Sequence, residues 1–306
     1  HRPILRARAR ADGSSMLRLP SRLLGLRCFQ RHLCFASGHS QVALHAIAAS
    51  HRFEGNEKFA SLRASKIRSV ELRQRSDLEH NVWASTGLLA PFLRVMDEHS
   101  IETVATLRNY GWPPNNNVGI TLVVPVVDAS IRPGTMAVES LTQACSLARL
   151  AAHHGLKVRA SLLDAFGNEF DPNPDPDAEL RSMAAELAVA GCEAIVLDDR
   201  RDQLGSHNPD EARERLSAAI TALASAEVGS GPVMASRIGL RLANSALGRQ
   251  LVLHAATNLG VRHIECCPFG EAAPQLEEVA TYCTQKGIDV QGVDVGHLRS
   301  SAIMWM

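Results

Sequence analysis

The sequence predicts an α/β fold in which parallel strands alternate with crossover helices. Three observations predict it. Short β-branched runs recur from residue 69 onward, each followed by a stretch of helical length. The helical stretches end near glycine, at Gly155, Gly191, Gly260 and Gly287, each just before the next run. Hydrophobic residues make up 45% of the 306 residues and charged residues 21%, proportions that suit one large folded domain.

In chain order the predicted strands are 70–73, 102–107, 119–126, 157–163, 194–198, 233–238 and 262–266. The predicted helices are 138–154, 178–190, 209–223, 244–259 and 273–286. The first carries Leu141, Ala144, Cys145, Ala148 and Leu150 along its apolar side. The third opens as Asn208-Pro209-Asp210-Glu211, with Asn208 as the N-cap and Pro209 as the first helical residue. A closed (β/α)8 TIM-type barrel needs eight strands, and this reading counts seven. The link 108–118 has no room for a helix and a strand. Either one βα unit is lost and the barrel is incomplete, or an irregular segment fills the gap.

The formal charge is zero, but it is unevenly spread. Residues 1–40 hold eight Arg, no Lys and one acid, Asp12, which leaves 24 basic against 31 acidic residues in the remainder. A body with a net charge of −7 is a poor match for a nucleic-acid backbone, so no nucleic-acid partner is expected. No apolar run reaches about 18 residues, so no transmembrane segment is expected. Seven Cys without any C-x-x-C pair suggest reduced thiols and no disulfide framework.

Arg2, Arg6, Arg8, Arg10, Arg18, Arg22, Arg27 and Arg31 alternate with Leu, Phe, Ser and Ala. This is the pattern of a mitochondrial targeting sequence, with Met16 as a candidate start; the alternative is an extended basic arm that lies on a partner. The organisation expected is therefore 1–40 as targeting sequence or arm, 41–68 as linker or N-terminal helix, and 69–306 as the barrel domain.

From Val118 onward the blocks Arg159 to Phe170, Gly191 to Asp199, Asn258 to Glu265 and Lys286 to Asp294 stand in an order and spacing that resembles the 3-hydroxy-3-methylglutaryl-CoA lyase family of pyruvate-carboxyltransferase-like TIM barrels. The resemblance is carried by an ordered series of blocks over residues 118–298. Arg159 to Phe166 followed by Gly167-Asn168-Glu169-Phe170 resembles the family's fifth-strand segment. Gly191 to Asp199 resembles its sixth strand, and Asn258 to Glu265 resembles the join into its eighth. Lys286 to Val290 with Gly292-Val293-Asp294 resembles the segment after the last strand. The resemblance implies a divalent metal at the C-terminal mouth and cleavage of an acyl-CoA. The metal would polarise the substrate, an Arg would stabilise developing charge, and a loop Cys would act as acid/base.

The residues for that chemistry are missing here, which makes the chain a degenerate member. Where the family has Arg-Asp-Gly, this sequence has Arg75-Ser76-Asp77. Arg75 fits the catalytic Arg, but Ser76 replaces the metal-ligating Asp, and a one-residue shift to Asp77 changes strand face. The family's seventh strand supplies two imidazoles at i, i+2 for one metal; the segment Val233 to Asn244 contains no His. The loop at Cys266-Cys267-Pro268 is shortened, which puts the two thiols at a strand end.

Other candidates have bland counterparts. Asp164, Asp198 and Asp199 fall at strand ends, where they either bind a cation through water or cap nearby turns. His153-His154 suits a helix terminus, and Asp171 to Asp177 is a Pro-stiffened spacer. No phosphate-binding or nucleophile-elbow motif occurs.

Two functions are expected from these residues. The first is a catalytically inactive barrel, with no cofactor and no bound metal. It would serve as an accessory subunit bound to other proteins of a mitochondrial assembly, in the matrix or on the matrix side of the inner membrane. A respiratory-chain complex suits the acidic body better than a mitoribosome. The alternative is a divergent carbon–carbon lyase or acyl-CoA-binding protein. There Arg75 contacts the acyl group and Asp199 is the acid/base, so Arg75, Asp164 and Asp199 must converge on an open pocket.

Overall fold

The computed structural model describes residues 41–48, 64–67, 69–72, 92–97, 118–126, 135–166, 176–199, 201–228, 231–232, 237–266 and 275–305. They fall within the unit His39–Met306. Eight parallel strands form a closed ring: β1 (Ala43–Ala48), β2 (Ser69–Leu72), β3 (Phe92–Asp97), β4 (Val118–Pro125), β5 (Lys157–Leu163), β6 (Cys192–Asp199), β7 (Ile238–Leu242) and β8 (His263–Cys266). Each strand lies beside its neighbours in sequence, and β1 pairs with both β2 and β8 to close the ring.

Ring closure corrects the strand count. Ala43–Ala48 is the first strand, so the barrel begins there and not at residue 69, and the expected linker or helix over 41–68 is displaced. Half of the strand's six residues are Ala, which favours helix in isolation. Burial overrides that preference, because Val42, Leu44 and Ala46 are fully enclosed. The third strand is Phe92–Asp97, whereas the expected strand over 102–107 and the link 108–118 up to residue 117 lie outside the described residues. The strand expected at 233–238 is found at Ile238–Leu242. The question of a lost unit therefore passes from the strands to the connections within 49–63, 73–91 and 98–117, outside the described residues.

Among the described residues the helices are α1 (Thr135–His153), α2 (Pro176–Val189), α3 (Pro209–Ala224), α4 (Ala246–Asn258), α5 (Leu276–Gln285) and α6 (Val295–Trp305). The Asn208 side chain accepts from the N–H groups of Asp210 and Glu211 at 3.1 and 3.0 Å, with Pro209 in the first turn, as its sequence predicts. The glycines after α1, α2, α4 and α5 all have positive φ, which lets each helix stop at once; the first three feed β5, β6 and β8, and the last leads on to α6. A two-residue antiparallel ladder, Glu227–Val228 with Gly231–Pro232, lies between α3 and β7.

The period-2 alternation of the strands splits the residues into two environments. One face of each strand carries Ile120, Leu122 and Val124 on β4, Val158, Ala160 and Leu162 on β5, and Ile238, Leu240 and Leu242 on β7. This face meets the helices: α1 packs on β4 and β5, α2 on β6, α3 and α4 on β7, and α5 on β1. Each fully buried Leu or Ile there contributes about 1.5–3 kcal/mol. The other face looks along the barrel interior. On β5, β7 and β8 it carries Arg159, Ser161, Arg241, His263 and Glu265.

Candidate functional site at the strand C-termini

The interior residues near the C-terminal ends of β6, β7 and β8 are Asp198, Arg241 and Glu265, each the penultimate residue of its strand. Register aligns Asp198 with Arg241 directly. β7 lies between β6 and β8, so the two acids converge on the Arg from either side.

The Arg241 guanidinium is held on both sides. Its Nε donates to Glu265 Oε2 at 2.9 Å, and its Nη2 contacts the same oxygen. Its Nη1 lies 3.4 Å from Asp198 Oδ2. Ser161 Oγ on β5 donates to that Asp198 oxygen at 2.9 Å. From the third position of β5, Arg159 Nη1 donates to the remaining Glu265 oxygen at 2.6 Å, and Arg159 Nη2 lies 3.5 Å from His263 Nδ1. Two guanidiniums and two carboxylates thus balance. Asp198, Glu265, Arg159 and Arg241 are only 0%, 1%, 1% and 3% exposed. Charges this deep persist only when paired, since each isolated ion would cost several kcal/mol.

Asp199 and Asp164 have different surroundings. Asp199 ends β6 and accepts from the N–H groups of Gln203 and Leu204 at 2.6 and 3.1 Å. Its carboxylate therefore anchors the 3-10 turn Leu204–Ser206, the capping role open to a strand-end acid. Burial pushes its pKa up to about 7 despite those two hydrogen bonds; Asp202 and Asp198 add to the rise. Asp164 follows β5 with φ 60° and pairs with the exposed Arg201 at 3.1 Å. Arg75 and Ser76 lie outside the described residues, as do Val233 to Ser236. Within the His-free segment, the interior i, i+2 pair on β7 is Gly239 and Arg241. Gly239 keeps that interior tight, because a Cβ there would sit 2.9 Å from Val196 Cγ2.

The remaining candidates are placed away from this cluster. Cys266 is buried in the apolar layer at the end of β8. Burial pushes the Cys192 thiol up to about 12 and Cys283 to about 11, so both are protonated at neutral pH and poor nucleophiles. His153 and His154 sit at the end of α1 with ring centroids 5.4 Å apart. Asp177 stands in the first turn of α2; 171–175 lie outside the described residues.

A divalent cation needs lone pairs directed at it. At this seat Arg241 brings only N–H donors, which engage Asp198 Oδ2 and Glu265 Oε2, while Arg159 engages Glu265 Oε1. The residues present do not fit a metal ion there. Among the described residues, no cluster of three or more His, Cys, Asp or Glu is arranged to hold one. Sequence reasoning missed the network, although its signal was present: Arg159, Arg241 and Glu265 occupy the strand parity opposite to the apolar, helix-facing one.

A second concavity lies on the outer wall. α4 and α5 stand apart, and a groove of about 340 Å³ runs between them, floored by Val252, Leu253, Val279 and Cys283. Arg249 and Glu278 face each other across it at 3.6 Å, and Tyr282 is partly exposed at its edge. No helix among the described residues is long and apolar enough to cross a membrane.

No family model and no curated protein matches the chain. Solved structures do. A hydroxymethylglutaryl-CoA lyase from Brucella melitensis superposes with a TM-score of 0.61 at 17% identity, covering 88% of this chain and 97% of that one. The hydroxymethylglutaryl-CoA lyase from Pseudomonas aeruginosa gives 0.58 at 14% identity, with 87% and 94% covered. The carboxyl transferase domain of Rhizobium etli pyruvate carboxylase gives 0.56 at 15% identity, covering 97% of this chain and 52% of that chain. At these identities the likeness is one of fold, and by fold this chain is a (β/α)8 barrel of the architecture shared by hydroxymethylglutaryl-CoA lyases and the carboxyl transferase domain of pyruvate carboxylase.

Proposed function

We propose that this chain is a non-catalytic barrel that serves as an accessory, structural subunit of a mitochondrial protein assembly, with a respiratory-chain complex favoured over a mitoribosome. The observation that carries the first half is the buried network at the strand C-termini. In barrels of this type function is placed at that end; here Asp198 and Glu265 are offset by Arg159 and Arg241, and all four are closed off from solvent. An enzyme of the lyase type needs polar groups left open to substrate at that place. The Arg-rich, acid-poor residues 1–40 support the compartment. The groove between α4 and α5 offers a partner an apolar floor with a charged rim on the outer wall.

The rival reading, an acyl-CoA lyase or acyl-CoA-binding protein, requires Asp199 to face substrate. Its carboxylate is instead engaged by the Gln203 and Leu204 N–H groups. The deciding experiment is native purification from mitochondria, followed by sizing and identification of co-purifying chains. Co-migration with a large complex at fixed stoichiometry is expected. A free monomer or small homo-oligomer that cleaves or binds an acyl-CoA would overturn the proposal.

A further inference from the structure

We propose that Arg241 is the resident cation of the barrel's C-terminal end: its guanidinium fills the seat that Asp198 Oδ2, Glu265 Oε2 and Ser161 Oγ would otherwise offer to a divalent metal ion. The argument starts from strand order. β7 lies between β6 and β8, so a side chain from β7 is flanked by one acid on each side. Asp198 Oδ2 and Glu265 Oε2 both lie within reach of the same guanidinium. Ser161 Oγ points at the Asp198 oxygen from β5. These are hard oxygen donors of the kind that hold Mg²⁺, Ca²⁺ or Mn²⁺.

Charge explains why the guanidinium wins. With Arg159 already on the far oxygen of Glu265, one further positive charge balances the four groups, and Arg241 supplies it. The guanidinium is tethered to the strand, so it competes intramolecularly with any ion from solution. It also arrives with its geometry fixed, a planar fork matched to carboxylates. The barrel end is therefore complete without a metal, and its stability is indifferent to chelators. This inference is independent of the assembly role and holds whether or not the chain has a partner.

The test uses the native chain and an Arg241→Met variant, which keeps most of the volume and removes the charge. Metal content after native purification and thermal melts in EDTA or MnCl2 are measured for the native protein. No stoichiometric metal and unchanged melting are expected. Arg241→Met is expected to melt roughly 10 °C lower. It should regain part of that loss in Mn²⁺ or Ca²⁺, with one equivalent of Mn²⁺ bound by electron paramagnetic resonance. Adding Asp198→Asn to that variant should abolish the cation response, while Arg241→Lys should show none. A folded Arg241→Met protein that ignores cations would overturn the inference. Should that variant not fold, the native chain still decides: a stoichiometric metal whose removal lowers the melting temperature would overturn it.

Discussion

Glu265→Gln probes the interior network most directly. The substitution keeps shape and volume and removes one negative charge from a residue that is 1% exposed. Glu265 accepts from both Arg159 and Arg241, and it is the only described carboxylate that both guanidiniums contact. Its loss removes the carboxylate charge that both buried guanidiniums contact, while Asp198, 3.4 Å from Arg241, keeps its place in the network. Removing one partner of a buried pair costs about 3–5 kcal/mol, and the double engagement places Glu265→Gln at the upper end, about 5 kcal/mol. An exposed pair would cost about 1 kcal/mol or less. Urea unfolding followed by far-ultraviolet circular dichroism reads the difference. The midpoint should fall with an unchanged slope, by an amount set by the loss divided by that slope. A loss under about 1 kcal/mol would refute the closed network. A compensated control, with Arg159, Arg241 and Glu265 all replaced by apolar residues of similar volume, should recover much of the stability.

Further predictions concern separate parts of the barrel. Asp199 has a folded pKa raised to about 7, so its contribution is fully present below the unfolded carboxylate range and is lost as pH rises through about 7. Asp199→Asn should therefore flatten the fall in stability between about pH 4 and 7, as measured by urea midpoints across that range. Gly239→Ala should cost about 1–3 kcal/mol, because its Cβ meets Val196 Cγ2 at 2.9 Å inside the ring; thermal melts read it. Asn208→Ala removes a cap that accepts two N–H groups and should cost about 1 kcal/mol, whereas Asn208→Ser should restore most of it. Cys192 and Cys283, with thiols held near 12 and 11, should resist alkylation at pH 8 until the chain is unfolded, as followed by mass spectrometry.

The sequence made some of this legible and hid the rest for identifiable reasons. The βα rhythm after residue 118 was readable because turn chemistry marks it locally: Asn208-Pro209 opens α3, and Gly155, Gly191, Gly260 and Gly287 close four helices. β1 was not readable, since Ala43–Ala48 has helix-favouring composition and becomes a strand only through its pairing with β2 and β8. β7 begins at Ile238 and not at residue 233, and Gly239 and Arg241 within it weaken the local strand signal. Ser76 and the His-free segment Val233 to Asn244 set the expectation of a lost metal site, but what fills the barrel interior could not be read from single residues. Arg159, Arg241 and Glu265 look like surface charges one at a time. Their meaning emerges only when helices claim the apolar parity of β5, β7 and β8, turning the charged parity inward.

The position of β1 also bears on how the chain is made. Its far neighbour, β8, ends at Cys266, more than two hundred residues after the strand it must meet. During synthesis the first strand therefore emerges long before its second edge can be satisfied. A contact of such long sequence separation pays its loop-closure entropy late and slows folding. A nascent or truncated chain that stops before β8 leaves two open strand edges, which are templates for association with other chains. This barrel is therefore expected to depend on a chaperone until its last strand is available, and termination before His263 should yield aggregate instead of a smaller folded protein.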